Sequence, residues 1–124
     1  MSGLAKQMMG GGTSFGQAKA MNGSVATGIT TAGTTQGTAT VLNAAVNVLA
    51  TVAGGATGAI LPSCEVADEV MVFNGDGADT AVIYPDSGSS INNLSANAGV
   101  NLAPATAIIF KRVTSTRWIA MLSA

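Results

Sequence analysis

From Thr34 onward, apolar and polar residues alternate in short runs separated by turn residues, the period-2 pattern of β-strands. The runs are Thr38 to Leu42, Asn47 to Val52, Ala59-Ile60-Leu61 stopped by Pro62, Glu69 to Phe73, Thr80 to Tyr84, Ser90-Ile91, Val100 to Leu102, Ala107 to Val113 and Arg117 to Leu122. Ala44 to Leu49 has room for one turn of helix, but Val46, Val48 and Val52 alternate with Asn47, Leu49 and Thr51, which favours a strand. Glu69–Phe73 and Thr80–Tyr84 flank Asn74-Gly75-Asp76-Gly77-Ala78-Asp79, a run that tolerates positive φ, and so read as a hairpin. Ala107–Val113 and Arg117–Leu122 read as a second hairpin across Thr114-Ser115-Thr116. Short strands at a spacing of roughly 8 to 12 residues predict an all-β domain, a compact β-sandwich or jelly-roll-like barrel, over residues 34–124.

Residues 1–33 lack either period. They are rich in Gly, Ser, Thr and Ala, with Gly10-Gly11-Gly12 in the middle. Because Gly loses the most backbone entropy on ordering, this stretch is expected to be an extended arm that cannot stabilise a fold of its own. Leu4, Met8, Met9, Phe15 and Met21 are spaced along it. They suit a segment that orders on another subunit, where each buried apolar side chain returns roughly 1.5–3 kcal/mol. The alternative is a disordered tail with incidental apolar residues.

Composition points the same way. Charged residues are 9% of the chain against roughly 25% in an average domain, and the net charge is −1. A surface so poor in charge favours association, so the chain is expected to be an oligomer. All the carboxylates fall between Glu65 and Asp86, and the basic residues lie outside that span at Lys6, Lys19, Lys111, Arg112 and Arg117. Five basic residues are too few for a nucleic-acid stripe. No apolar run approaches the ~20 residues of a membrane span, and the first residues lack a signal-peptide profile, so neither membrane insertion nor export by that route is expected.

Catalytic chemistry finds little to stand on. With no His in the sequence, Ser-His-Asp and Cys-His arrangements cannot form within the chain, and no cofactor or metal is expected. Cys64 has no partner for an intrachain disulfide and no neighbouring base, and reads as a small buried hydrophobe. The run Asn74 to Asp79 departs from a calcium loop, which would need an oxygen ligand at Ala78, Gly at Asp79 and Glu at Pro85. Glu65, Asp68 and Glu69 are candidates for a glycosidase carboxylate pair, but a solvated loop or a salt bridge to Lys111, Arg112 or Arg117 suits them better. Gly10-Gly11-Gly12-Thr13-Ser14 lacks the Lys and the preceding strand of a phosphate loop. Trp118, on the same strand face as Ala120 and Leu122, is expected in the core or at a subunit interface.

The pattern Leu61-Pro62, Val70 to Gly75, Val82 to Gly88, Ile91-Asn92, Phe110 and Trp118, preceded by the Thr- and Ala-rich Ile29 to Ala39, resembles a β-domain of virion structural proteins in tailed bacteriophages. The resemblance covers about three quarters of the chain and implies a non-enzymatic capsid decoration (cement) protein. Such a protein would be made in the host cytoplasm, assemble as a homotrimer and sit on the capsid surface of the virion. It would bind across major capsid protein subunits through its arm, with Leu4, Met8, Met9, Phe15, Met21 and Trp118 at capsid or subunit interfaces. The alternative is a tail or fibre component whose loops Asn74–Asp79 and Ser87–Asn97 grip a glycan with help from Trp118 or Tyr84.

Overall fold

The computed structural model describes residues 24–54 and 56–122. Their regular structure is almost entirely β: ten strands and a short 3-10 helix, Gln36–Thr38. The strands are β1 (Val25–Thr30), β2 (Thr40–Val41), β3 (Val46–Thr51), β4 (Gly58–Ile60), β5 (Glu69–Asn74), β6 (Ala81–Tyr84), β7 (Ser90–Ile91), β8 (Val100–Leu102), β9 (Ala107–Thr114) and β10 (Arg117–Leu122). They form a six-stranded sheet, ordered β1-β3-β5-β9-β10-β7, and a four-stranded sheet, ordered β2-β4-β6-β8.

Up to β6 the chain passes from one sheet to the other with each strand. β1, β3 and β5 pair in parallel in the large sheet, and β2, β4 and β6 in parallel in the small one. Three successive coils, each giving one strand to each sheet, are the winding of a β-solenoid. A jelly-roll is built from antiparallel strands, so this part of the chain departs from the expected topology. The direction then reverses: β8 lies antiparallel to β6, β9 antiparallel to β5, and β10 returns beside β9. The second expected hairpin is therefore present.

The first expected hairpin is not, since β5 and β6 belong to different sheets. The side chains of the run between them explain this. Asn74 is fully buried; its Nδ2 donates to Leu102 O at 3.0 Å and to Asp79 O at 2.9 Å, and its Oδ1 accepts the Asp76 N–H at 2.9 Å. These bonds turn the chain at a corner between layers instead of folding it back on its own strand.

The last ten residues of the expected arm are built into the fold. Residues 24–33 belong to the winding: Ser24 O accepts the Val46 N–H at 3.1 Å and Thr51 O accepts the Thr31 N–H at 3.0 Å. Gly28, with φ +70°, breaks the alternation of β1 and hides the strand from a period-2 reading. Residues 1–23, with Leu4, Met8, Met9, Phe15 and Met21, lie outside the described residues.

The core fills the space between the sheets. Leu49, Val70, Val72, Phe110 and Trp118 from the large sheet meet Ala59, Leu61, Ile83 and Leu102 from the small one, all at most 1% exposed. Burial of each large side chain contributes about 1.5–3 kcal/mol. The small sheet is also held at close range by glycine: the Tyr84 ring packs beside Gly58 and Gly99, and its hydroxyl donates to Thr34 O at 3.1 Å.

Candidate functional site

The most highly connected polar group joins the turn after β6 to the closing hairpin. Arg112 on β9 and Trp118 on β10 are partners in register, so both side chains point inward from the same face. Asp86 Oδ1 accepts Arg112 Nη1 at 2.8 Å and Trp118 Nε1 at 2.9 Å, and the guanidinium lies 5.1 Å from the centre of the indole ring. Arg112 Nε donates to Thr114 O at 3.1 Å, and Nη2 donates to Ser115 O. The cation is thus matched by a carboxylate, two carbonyls and an aromatic face, which is what a buried charge requires. Trp118 is 0% exposed and belongs to the core. Its place among the expected interface residues is corrected accordingly: an indole wholly enclosed by its own chain has no surface for a subunit or a sugar ring. Nothing in the sequence pairs Asp86 with Arg112 and Trp118, because the three meet only through the winding.

The glycosidase candidates are engaged locally. Glu69 forms an exposed ion pair with Lys111 at 3.3 Å, and Asp68 Oδ2 accepts the Glu65 N–H at 3.0 Å to close a turn. A surface pair of this kind is worth about 0–1 kcal/mol. Cys64 lies close by, half-buried. Desolvation first, and Asp68 second, push its thiol up to about 11, so it is protonated at neutral pH and lacks the thiolate of a nucleophile. Among the described residues, no three His, Cys, Asp or Glu side chains are grouped to share a metal ion.

In the corner run, Asp76 is the organising residue. Its Oδ1 accepts the N–H groups of Ala78 at 2.8 Å and Asp79 at 3.1 Å, and its Oδ2 accepts the Val52 N–H at 3.0 Å from the end of β3. Both carboxylate oxygens therefore serve the backbone, which makes the run a structural corner. The Val52 N–H first, then those of Ala78 and Asp79, hold the Asp76 carboxyl below its ordinary value of 3.8. A depressed folded value means that the stabilisation is complete above pH ~4, the unfolded range, and is lost as pH falls through the folded value. Asp76→Asn is expected to melt at a lower temperature than the parent at pH 6. The gap should close as both are acidified toward pH 2, and a gap independent of pH would contradict this role.

The first coil is where the undescribed N-terminal residues join the fold. β1 ends the large sheet and β2 the small one, so each presents a strand edge with no further described strand beside it. Val25 and Val41 on these strands are 64% and 71% exposed. Ser24, the first described residue, is held beside the start of β3 by the Ala45 N–H, which donates to its Oγ at 3.0 Å. A segment leading in from residues 1–23 therefore starts from a fixed point at the sheet margin. No helix among the described residues is long and apolar enough to cross a membrane. Comparison with family models, with curated proteins and with solved structures returns no match.

Proposed function

We propose that the chain is a non-enzymatic decoration protein of a tailed-bacteriophage head, acting as a homotrimer on the capsid surface. In this reading the β-domains pack around a threefold axis. The segment before Ser24 binds across neighbouring major capsid protein subunits through Leu4, Met8, Met9, Phe15 and Met21. The mechanism is mechanical: each arm adds buried area across a boundary that internal DNA pressure pulls apart. Three tethered arms also bind with an avidity that one weak contact lacks.

The observation that carries the reading is the anchoring of Ser24 on β3, which fixes the root of an apolar-studded segment to a braced β-body. The employment of Asp76, Asp86 and Arg112 in the fold's own bonds supports a structural role over a catalytic one. Removing residues 1–22 is expected to leave a folded body that no longer binds heads lacking the protein, as read by co-sedimentation. Occupancy equal to that of the full chain would defeat the proposal.

A further inference from the structure

Along β5 and β9 the apolar residues do not alternate with polar ones. Val70, Val72, Ile108 and Phe110 point into the core, at most 4% exposed. Between them Met71 and Ile109 point to the opposite side. The register makes this a continuous row: Val25 pairs with Val46, Val46 with Met71, Met71 with Ile109 and Ile109 with Met121, across five neighbouring strands. Phe73 extends the same face beside Met71. A shallow depression on it is floored by Ala45, Val46, Met71 and Ile109 and bordered by Ala67, Asp68 and Glu69.

A sheet that is apolar on both faces is normally covered on both. Here the small sheet covers one face, and no described strand lies over the other, where Val46, Met71, Phe73 and Ile109 are half-buried. Five of its strands, β1, β3, β5, β9 and β10, about 4.8 Å apart and at least six residues long at ~3.3 Å each, give the outer face a projected area of roughly 400–500 Å². With Glu69 and Lys111 at one end of it, that face is of the size of the largest apolar patch on an ordinary monomer, ~300–600 Å², and about half of the ~800 Å² per partner of a stable interface.

The charge on this face narrows the choice of occupant. Glu69 and Lys111 on it neutralise each other at 3.3 Å and leave Asp68 at its margin, too little charge to select a strongly charged partner. We infer that the outer face of the six-stranded sheet, centred on Met71 and Ile109, is the surface on which a second copy of this chain packs. This rests on the self-association in the reading above, but not on attachment to a capsid.

The test is the light-scattering mass of the full chain at micromolar concentration, with three variants. Met121→Glu, at a residue 47% exposed, places a charge on the face without entering the core. Ile109→Glu does so at its centre. Val41→Glu, 71% exposed on the other sheet, is the control. The parent and Val41→Glu are expected to share a multiple of the chain mass, and Met121→Glu and Ile109→Glu to fall to one chain with an unchanged far-UV circular dichroism spectrum.

A parent of single-chain mass overturns the inference, as do face variants that keep the parent's mass. So does a single-chain parent that associates once residues 1–22 are removed, since its own N-terminal residues would then be the cover. A monomer that still binds heads would sink this inference together with the trimer and leave attachment to the head standing; an oligomer dissociated by Met121→Glu whose parent ignores heads would uphold this inference and sink attachment.

Discussion

Replacing Asp86 by alanine is expected to cost the folded state about 3–5 kcal/mol, the range for breaking one side of a buried ion pair. Arg112 and Asp86 have side chains only 6% and 19% exposed, so the guanidinium left behind cannot recover its lost partner from bulk water. The indole N–H of Trp118 loses its acceptor in the same step, because one oxygen, Oδ1, serves both donors. A domain of this size is stable by about 5–15 kcal/mol, so the variant should lie near the edge of folding. The shared oxygen also predicts coupling. Trp118→Phe keeps the ring under Arg112 but removes the donor, and should cost less in the Asp86→Ala background than in the parent, with an interaction energy of about 0.5–3 kcal/mol. Urea denaturation of the four chains measures it, and additive losses would show that the two bonds are independent.

Gly58→Val is expected to be as damaging, by a different route. A Cβ at Gly58 would stand 2.1 Å from Val82 O on the next coil and 3.0 Å from Cε2 of the Tyr84 ring. The carbonyl is backbone held in the sheet and cannot swing away as a flexible side chain would. Overpacking usually costs about 1–3 kcal/mol, and a clash with a fixed carbonyl belongs at or above the top of that range. Gly77→Ala is the comparison: nothing lies within 4 Å of its Cβ position, and the change is expected to be neutral or to stabilise by up to about 1 kcal/mol. Equal urea midpoints for Gly58→Val and Gly77→Ala would contradict the close approach of the coils.

These two positions mark what the sequence could and could not convey. The strands themselves are legible, because β3, β5, β6, β9 and β10 keep enough apolar spacing to be read locally. The β9–β10 hairpin is legible too, since its partners are joined by a short turn. Parallel pairing leaves no such trace. The ladder steps from Val25 to Val46 to Met71, unequal intervals with no repeated motif, so no period announces the winding. The run Asn74 to Asp79 carries turn chemistry, which specifies that the chain bends but not which strand the next one joins.

Site residues follow the same division. The pairing of Glu69 with Lys111 was among the partners open to the acidic cluster, and it forms because β5 and β9 are neighbours in register. Asp86 was silent, because its partners lie 26 and 32 residues away. The type and strand position of Trp118 are compatible with core or interface, and only the assembled layers put it wholly in the core. The outer row through Met71 and Ile109 needs the register of five strands before it exists at all.

The proposed attachment of this chain to phage heads is tested most directly by co-sedimentation of the purified full chain with heads that lack it, across a range of protein concentrations. Saturable binding is the result predicted; sedimentation no greater than that of the protein alone, at every concentration, would contradict it.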